Sequence, residues 1–192
     1  MTILIPFAGL APVPWKNGGG STTQIAIAPP EAGLDDFEWR ISLATIATDG
    51  PFSQFAGVDR TLVLVEGNGI TLDIDGETSV LLCDDEPLAA FAGEDQVHAK
   101  LNRGPTTDFN VMTRRDCCHH TFGRRRLSGE SSFATRADVT VLFLAQGDAI
   151  TVSSDAERIG MVRYDAVVFE GEALWKLESA QAEIFIVDIF YE

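Results

Sequence analysis

The chain of 192 residues predicts an all-β fold built as two tandem copies of one sheet unit. Three observations predict it. Short β-branched and aromatic runs recur between Gly, Asp, Asn and Pro punctuation, the mark of an antiparallel sandwich or barrel. Helix signals are scarce, the clearest being a short, weak stretch within residues 85–91. The third is an internal echo. Leu64-Val65-Glu66-Gly67-Asn68-Gly69-Ile70-Thr71-Leu72 resembles Leu144-Ala145-Gln146-Gly147-Asp148-Ala149-Ile150-Thr151-Val152, Phe91-Ala92-Gly93-Glu94 resembles Phe169-Glu170-Gly171-Glu172, and Phe109-Asn110-Val111 answers Phe185-Ile186-Val187, in the same order at a slowly drifting offset. Each copy runs strand, Gly-rich turn, strand, acidic Gly turn, closing strand. That plan is a cupin-like jelly roll, in which two sheets enclose a cavity, and two copies make a bicupin.

In chain order, residues 14–23 (PWKNGGGSTT) come first. Three consecutive glycines cost backbone entropy and suit a sharp turn or a close backbone approach. They follow Trp15, Lys16 and Asn17, a flat apolar surface, a charge and an amide, as a small polar ligand would need. Residues 22–28 (TTQIAIA) and 38–46 (EWRISLATI) read as strands. In the second, alternation puts Arg40, Ser42 and Ala44 on one face and Trp39, Ile41 and Leu43 on the other. Arg40 and Ser42 are then either at the surface or inside a barrel, where a guanidinium needs an anionic partner.

Residues 50–60 (GPFSQFAGVDR) set Ser53, Gln54 and Arg60 around Phe52 and Phe55, ahead of the strands at 60–67 and 69–74. Asp108 and Asn110 alternate in DFNVM and so share a face; a salt bridge from Asp108 to an arginine would account for them structurally. Residues 113–136 read as a connector, which places one unit at 1–112 and the other at 137–192, with strands at 139–147, 149–153, 165–171 and 182–191. The stretch 100–136 holds eight of the 14 Lys and Arg residues against three acids. Arg124–Arg126 is a solvated face or a partner contact.

The net charge of −15 opposes binding to a phosphate backbone, so no nucleic acid partner is expected. Cys83, Cys117 and Cys118 form no disulfide framework, which suits a reducing compartment. With no apolar run of 18 residues and no basic start to the apolar amino terminus, a cytoplasmic protein without a membrane partner is expected, as monomer or homodimer. The histidines are His98, His119 and His120. On a strand His119 and His120 face opposite ways and cannot grip one ion together, and no His-x-His pair occurs at 60–75. No metal or other cofactor is therefore expected. No nucleophile elbow or nucleotide-binding glycine pattern is present either.

Taken together, PWKNGGGSTTQIA, FEWRISLATIATDGPFSQFAGVDRTLVLVEGNGITL, the F-x-G-E turn and GPTTDFNVMTRR resemble the HutD/Ves family, strongly over about residues 12–115 and weakly beyond. That resemblance implies a bicupin and an association with histidine utilisation in bacteria, as a regulator or sensor of an intermediate such as formylglutamate or urocanate. Both are carboxylates, which an arginine fork holds bidentately. The expected site is Trp15, Lys16, Asn17, Arg40, Ser42, Phe52, Ser53, Arg60, Asp108 and Asn110, binding a small carboxylate without catalysis. The alternatives are a metal-independent isomerase or hydrolase with Asp108 or His98 as base, and a partner-binding regulator using the arginines of 113–126.

Overall fold

A computed structural model describes residues 1–192, the side chain of Ala173 excepted. The strands are β1 (Thr2–Ile5), β2 (Val13–Pro14), β3 (Gly20–Ala28), β4 (Trp39–Ile46), β5 (Gly50–Pro51), β6 (Val58–Glu66), β7 (Ile70–Ile74), β8 (Thr78–Leu82), β9 (Leu88–Ala92), β10 (Val97–Leu101) and β11 (Thr106–Arg114). There follow β12 (Cys118–Thr135), β13 (Val139–Gln146), β14 (Ala149–Ser153), β15 (Arg158–Val162), β16 (Ala166–Glu170) and β17 (Ala173–Tyr191). A single 3₁₀ turn, Phe7–Gly9, is the only helical element among the described residues, and no helix there is long and apolar enough to cross a membrane.

Two compact units emerge. One is Ala11–Cys118; the other joins Met1–Leu10 to His119–Glu192. In the Ala11–Cys118 unit a six-stranded sheet, β2-β3-β4-β11-β6-β9, accompanies a four-stranded one, β5-β10-β7-β8. Ile46, Leu62, Leu64 and Ala89 from the first pack with Ile70, Leu72, Leu82, Val97 and Ala99 from the second in one buried cluster. The inner faces of the two sheets thus meet, as a jelly roll requires. The second unit carries the sheet β1-β16-β13-β17-β14-β15, with β12 also paired to β17. Its apolar cluster includes Leu142, Leu144, Phe169, Trp175 and Ile184.

The echo is a structural repeat. Leu62 pairs with Asn110 and Leu64 with Asp108, while Leu142 pairs with Ile186 and Leu144 with Ile184. The β6–β11 ladder slips beside Glu66–Thr107 and the β13–β17 ladder slips beside Gln146–Glu183. The turns that follow also match, since Gly67 and Gly147 both have positive φ and a Cβ on either would strike backbone.

Three expectations differ from the structure. Residues 85–91 give no helix; Leu88–Ala92 is a strand whose Ala89 and Phe91 face Leu62 and Arg60 on β6. Pairing along β6 overrides the helix propensity of an Ala-rich run. Residues 113–136 are no free connector, because Thr113 and Arg114 finish β11 and Cys118–Thr135 is strand, with Leu127 and Phe133 in the second unit's core. Finally, Thr2–Ile5 pairs with β16, which assigns the first ten residues to the second unit rather than the first.

Candidate functional site

Alternation along the central strands of the Ala11–Cys118 unit builds one polar face. Antiparallel register puts Gln24, Ser42, Asn110 and Leu62 in one row across β3, β4, β11 and β6. The row on one side holds Ile27, Arg40, Met112, Arg60 and Phe91; that on the other holds Thr22, Ala44, Asp108 and Leu64. Leu62, Leu64 and Ala89 on this face belong to the cluster shared by the two sheets, so the face is the inner one. Arg40, Ser42, Arg60, Asp108 and Asn110 are all buried. The surface placement of Arg40 and Ser42 is thereby excluded.

Arg60 is the best-defined group. Its guanidinium lies over the rings of Phe91, Phe52 and Phe55 at 4.9, 5.4 and 5.8 Å. It donates to the Ser53 carbonyl and to Asn110 Oδ1, each at 3.3 Å, while its Nε has no partner. Arg40 donates from Nε to Gln24 Oε1 at 3.1 Å. Burial, and then the nearby Arg40 charge, bring the Arg60 pKa down to about 10; burial also lowers that of Arg40. Two buried cations therefore share one face, and neither has an acidic partner among the described residues.

Asp108 does not supply one, so the expected Asp108–arginine salt bridge is absent. Its Oδ2 accepts the Thr106 hydroxyl at 2.6 Å, and its Oδ1, like Ser42 Oγ, has no partner. Burial pushes its carboxyl up to about 7, against the opposing effect of the Thr106 bond. The register explains the missing pair, because Asp108 stands two rows from Arg40 and Arg60 with the Ser42–Asn110 row between.

The remaining predicted residues are placed differently. The triple glycine closes the β2–β3 hairpin: Trp15 N–H donates to the Gly20 carbonyl and Gly18 N–H to that of Trp15. Gly18 has φ +71°, and a Cβ at Gly20 would lie 2.3 Å from the Thr45 carbonyl oxygen and 3.0 Å from the Trp15 ring. Lys16 and Asn17 are exposed on this turn, where Asn17 Oδ1 accepts the Gly19 N–H at 3.0 Å. Trp15 instead turns inward, packing on the apolar cluster and donating from Nε1 to Thr22 Oγ1 at 2.8 Å. Phe52 packs there too, while Ser53 contributes its carbonyl and leaves its side chain exposed.

Sequence reasoning missed Gln24, Phe91 and Thr106. Gln24 was hidden by the β3 bulge, which shifts the register between Gln24 and Ala26. Two surface grooves, one beside Phe52, Asp73, Gln96 and His98 and another beside Gln146, Ser179 and Glu183, gather no unpaired cations. His98 is exposed and His119 stacks on Phe190. The arginines of 113–126 are engaged within their own units. Arg115 meets Asp59 and Glu94, Arg114 donates to the Phe37 and Asp35 carbonyls, and Arg124 and Arg126 grip the buried Glu183.

The family model described as HutD matches residues 8–187. The chain belongs to the HutD family. A 21.2 kDa protein in the hutC 3′ region of Pseudomonas putida is 35% identical over 161 residues, 83% of this chain and 82% of that one. HutD from Pseudomonas fluorescens SBW25 superposes with a TM-score of 0.84 at 27% identity, covering 100% of both chains. A conserved protein of unknown function from Pseudomonas aeruginosa PAO1 reaches a TM-score of 0.91 at 30% identity, covering 99% of each. This HutD-family chain thus shares its fold with the two solved Pseudomonas structures.

Proposed function

We propose that the Ala11–Cys118 unit binds a small carboxylate between Arg40 and Arg60, and that the protein acts as a sensor or regulator in histidine degradation rather than as a catalyst. One observation carries the reading: two buried guanidiniums share a face without an acid. Unpaired buried charge is strongly unfavourable, and a bound carboxylate relieves it through charge-assisted bonds. Arg60 Nε and Ser42 Oγ supply two unused groups beside it. Formylglutamate and urocanate are the candidate ligands, because the relatives lie with histidine utilisation and both molecules are carboxylates.

Calorimetric titration with each acid tests this. Arg40→Gln or Arg60→Gln should weaken binding roughly ten- to a hundredfold. Unchanged affinity in both variants would sink the assignment.

Asp108 favours a second reading, since a carboxyl that burial pushes up to about 7, with one oxygen unbonded, has the property of a general acid–base group. An isomerase or hydrolase of this kind would form product from pathway intermediates, detected by mass spectrometry, and lose that turnover in Asp108→Asn.

A further inference from the structure

Each guanidinium on the polar face is held by a neutral amide. Gln24 Oε1 accepts from Arg40 Nε at 3.1 Å, and Asn110 Oδ1 accepts from Arg60 Nη2 at 3.3 Å. Both amides stand in the row that crosses β3, β4 and β11, and each takes an arginine from the neighbouring row. A buried arginine ordinarily meets a carboxylate at such a contact, because a lone buried charge is far costlier than a paired one.

The chain has a carboxylate close by and does not use it. Asp108 is one same-face step from Asn110 on β11, bonded to Thr106 instead. Exchanging the two identities would put the acid at the Arg60 contact and the amide beside Thr106. The opposing strands β7 and β10 bring only Ile70, Leu72, Val97 and Ala99 to the shared cluster, all of them apolar. The rings of Phe52, Phe55 and Phe91 lie against Arg60 without neutralising it. The row also has an outer and an inner end, since Gln24 is exposed whereas Ser42 and Asn110 are buried. An amide oxygen fixes the direction of a guanidinium and leaves its charge; a carboxylate in the same place would cancel that charge as well.

Resting on the carboxylate reading, we propose that Gln24 and Asn110 are positioning residues, which aim Arg40 and Arg60 through neutral acceptors and so keep both charges available to the ligand. An acid at either position becomes an internal competitor, occupying the guanidinium that the ligand needs. The folded chain gains from that competitor, because it pairs a buried cation that otherwise has none.

The experiment compares an acidic with an apolar near-isostere at each position in the full chain: Gln24→Glu with Gln24→Met, and Asn110→Asp with Asn110→Leu. Calorimetry with formylglutamate and with urocanate reads affinity, and thermal unfolding without ligand reads stability. The apolar variants lose the aim but keep the charge, and should bind about three- to tenfold more weakly than wild type. The acidic variants should bind at least about tenfold more weakly again. Ligand-free Asn110→Asp should nevertheless unfold at a higher temperature than wild type, whereas damage to a merely structural contact lowers affinity and stability together. Acidic variants that bind as wild type does, acidic and apolar variants impaired alike, or an Asn110→Asp chain less stable than Asn110→Leu would overturn the proposal. Arg60→Gln, if it still weakens binding, leaves the carboxylate reading standing in each of those cases. If neither acid binds wild type, the carboxylate reading itself fails and this inference falls with it.

Discussion

At the scale of single residues, the site is a set of groups that the fold keeps uncomfortable. Asp108 is the sharpest case. An unfolded aspartate ionises near about 3.9, whereas burial pushes the folded carboxyl up to about 7. Between those values the folded chain holds a proton that the unfolded chain has released, so this group's contribution to stability falls as pH rises and levels off above about pH 7. The linkage amounts to about 4 kcal/mol. Asp108→Asn removes it, so urea midpoints should show the variant gaining on wild type between pH 5 and pH 8; a difference that does not change with pH would contradict the burial argument. In the sequence, the shared face of Arg40 with Ser42 and of Asp108 with Asn110 was legible from alternation alone. Which way that face pointed was not, because Trp39, Ile41 and Leu43 on the opposite face of β4 are buried as well. Lys16 and Asn17 misled for a different reason, since a residue beside glycines serves a turn as readily as a ligand.

At the scale of elements, the triple glycine and the repeat carry the argument. The glycines are not equivalent. Gly18 needs only its left-handed φ, with nothing within 4 Å of a Cβ, whereas Gly20 has no room beside the Thr45 carbonyl and the Trp15 ring. Gly18→Ala should cost about 1 kcal/mol, and Gly20→Ala more than about 2 kcal/mol through overpacking against backbone. Denaturant titration of both gives the order, and a Gly20 variant as stable as the Gly18 one would refute it. The paired offsets of the echo were readable because Gly turns and strand lengths are repeated, and the register of Leu62–Asn110 and Leu142–Ile186 matches them. Local pattern failed where distant pairing decides. The Ala-rich β9 is a strand because β6 lies beside it, and β12 is a strand because β17 does.

At the scale of the whole molecule, the two units share a strand plan and differ in their interiors. Asp108 and Asn110 line one unit, and Ile184 and Ile186 stand at the matching register in the other. Phe133, Phe169 and Trp175 belong to the second unit's apolar cluster. Among the described residues, a chain of net charge −15 thus has its buried cationic pair in the Ala11–Cys118 unit. Such a pair raises the local potential for an anion that the rest of the surface repels. The central claim is that this pair holds the carboxylate. The most direct measurement follows the Nε–Hε resonances of the arginines by ¹H–¹⁵N NMR while formylglutamate or urocanate is added. The account predicts that the Arg60 signal moves and saturates at one ligand per chain, since its Nε is unpaired in the free protein. An Arg60 signal that stays still while ligand binds, or saturation at two equivalents, would contradict it.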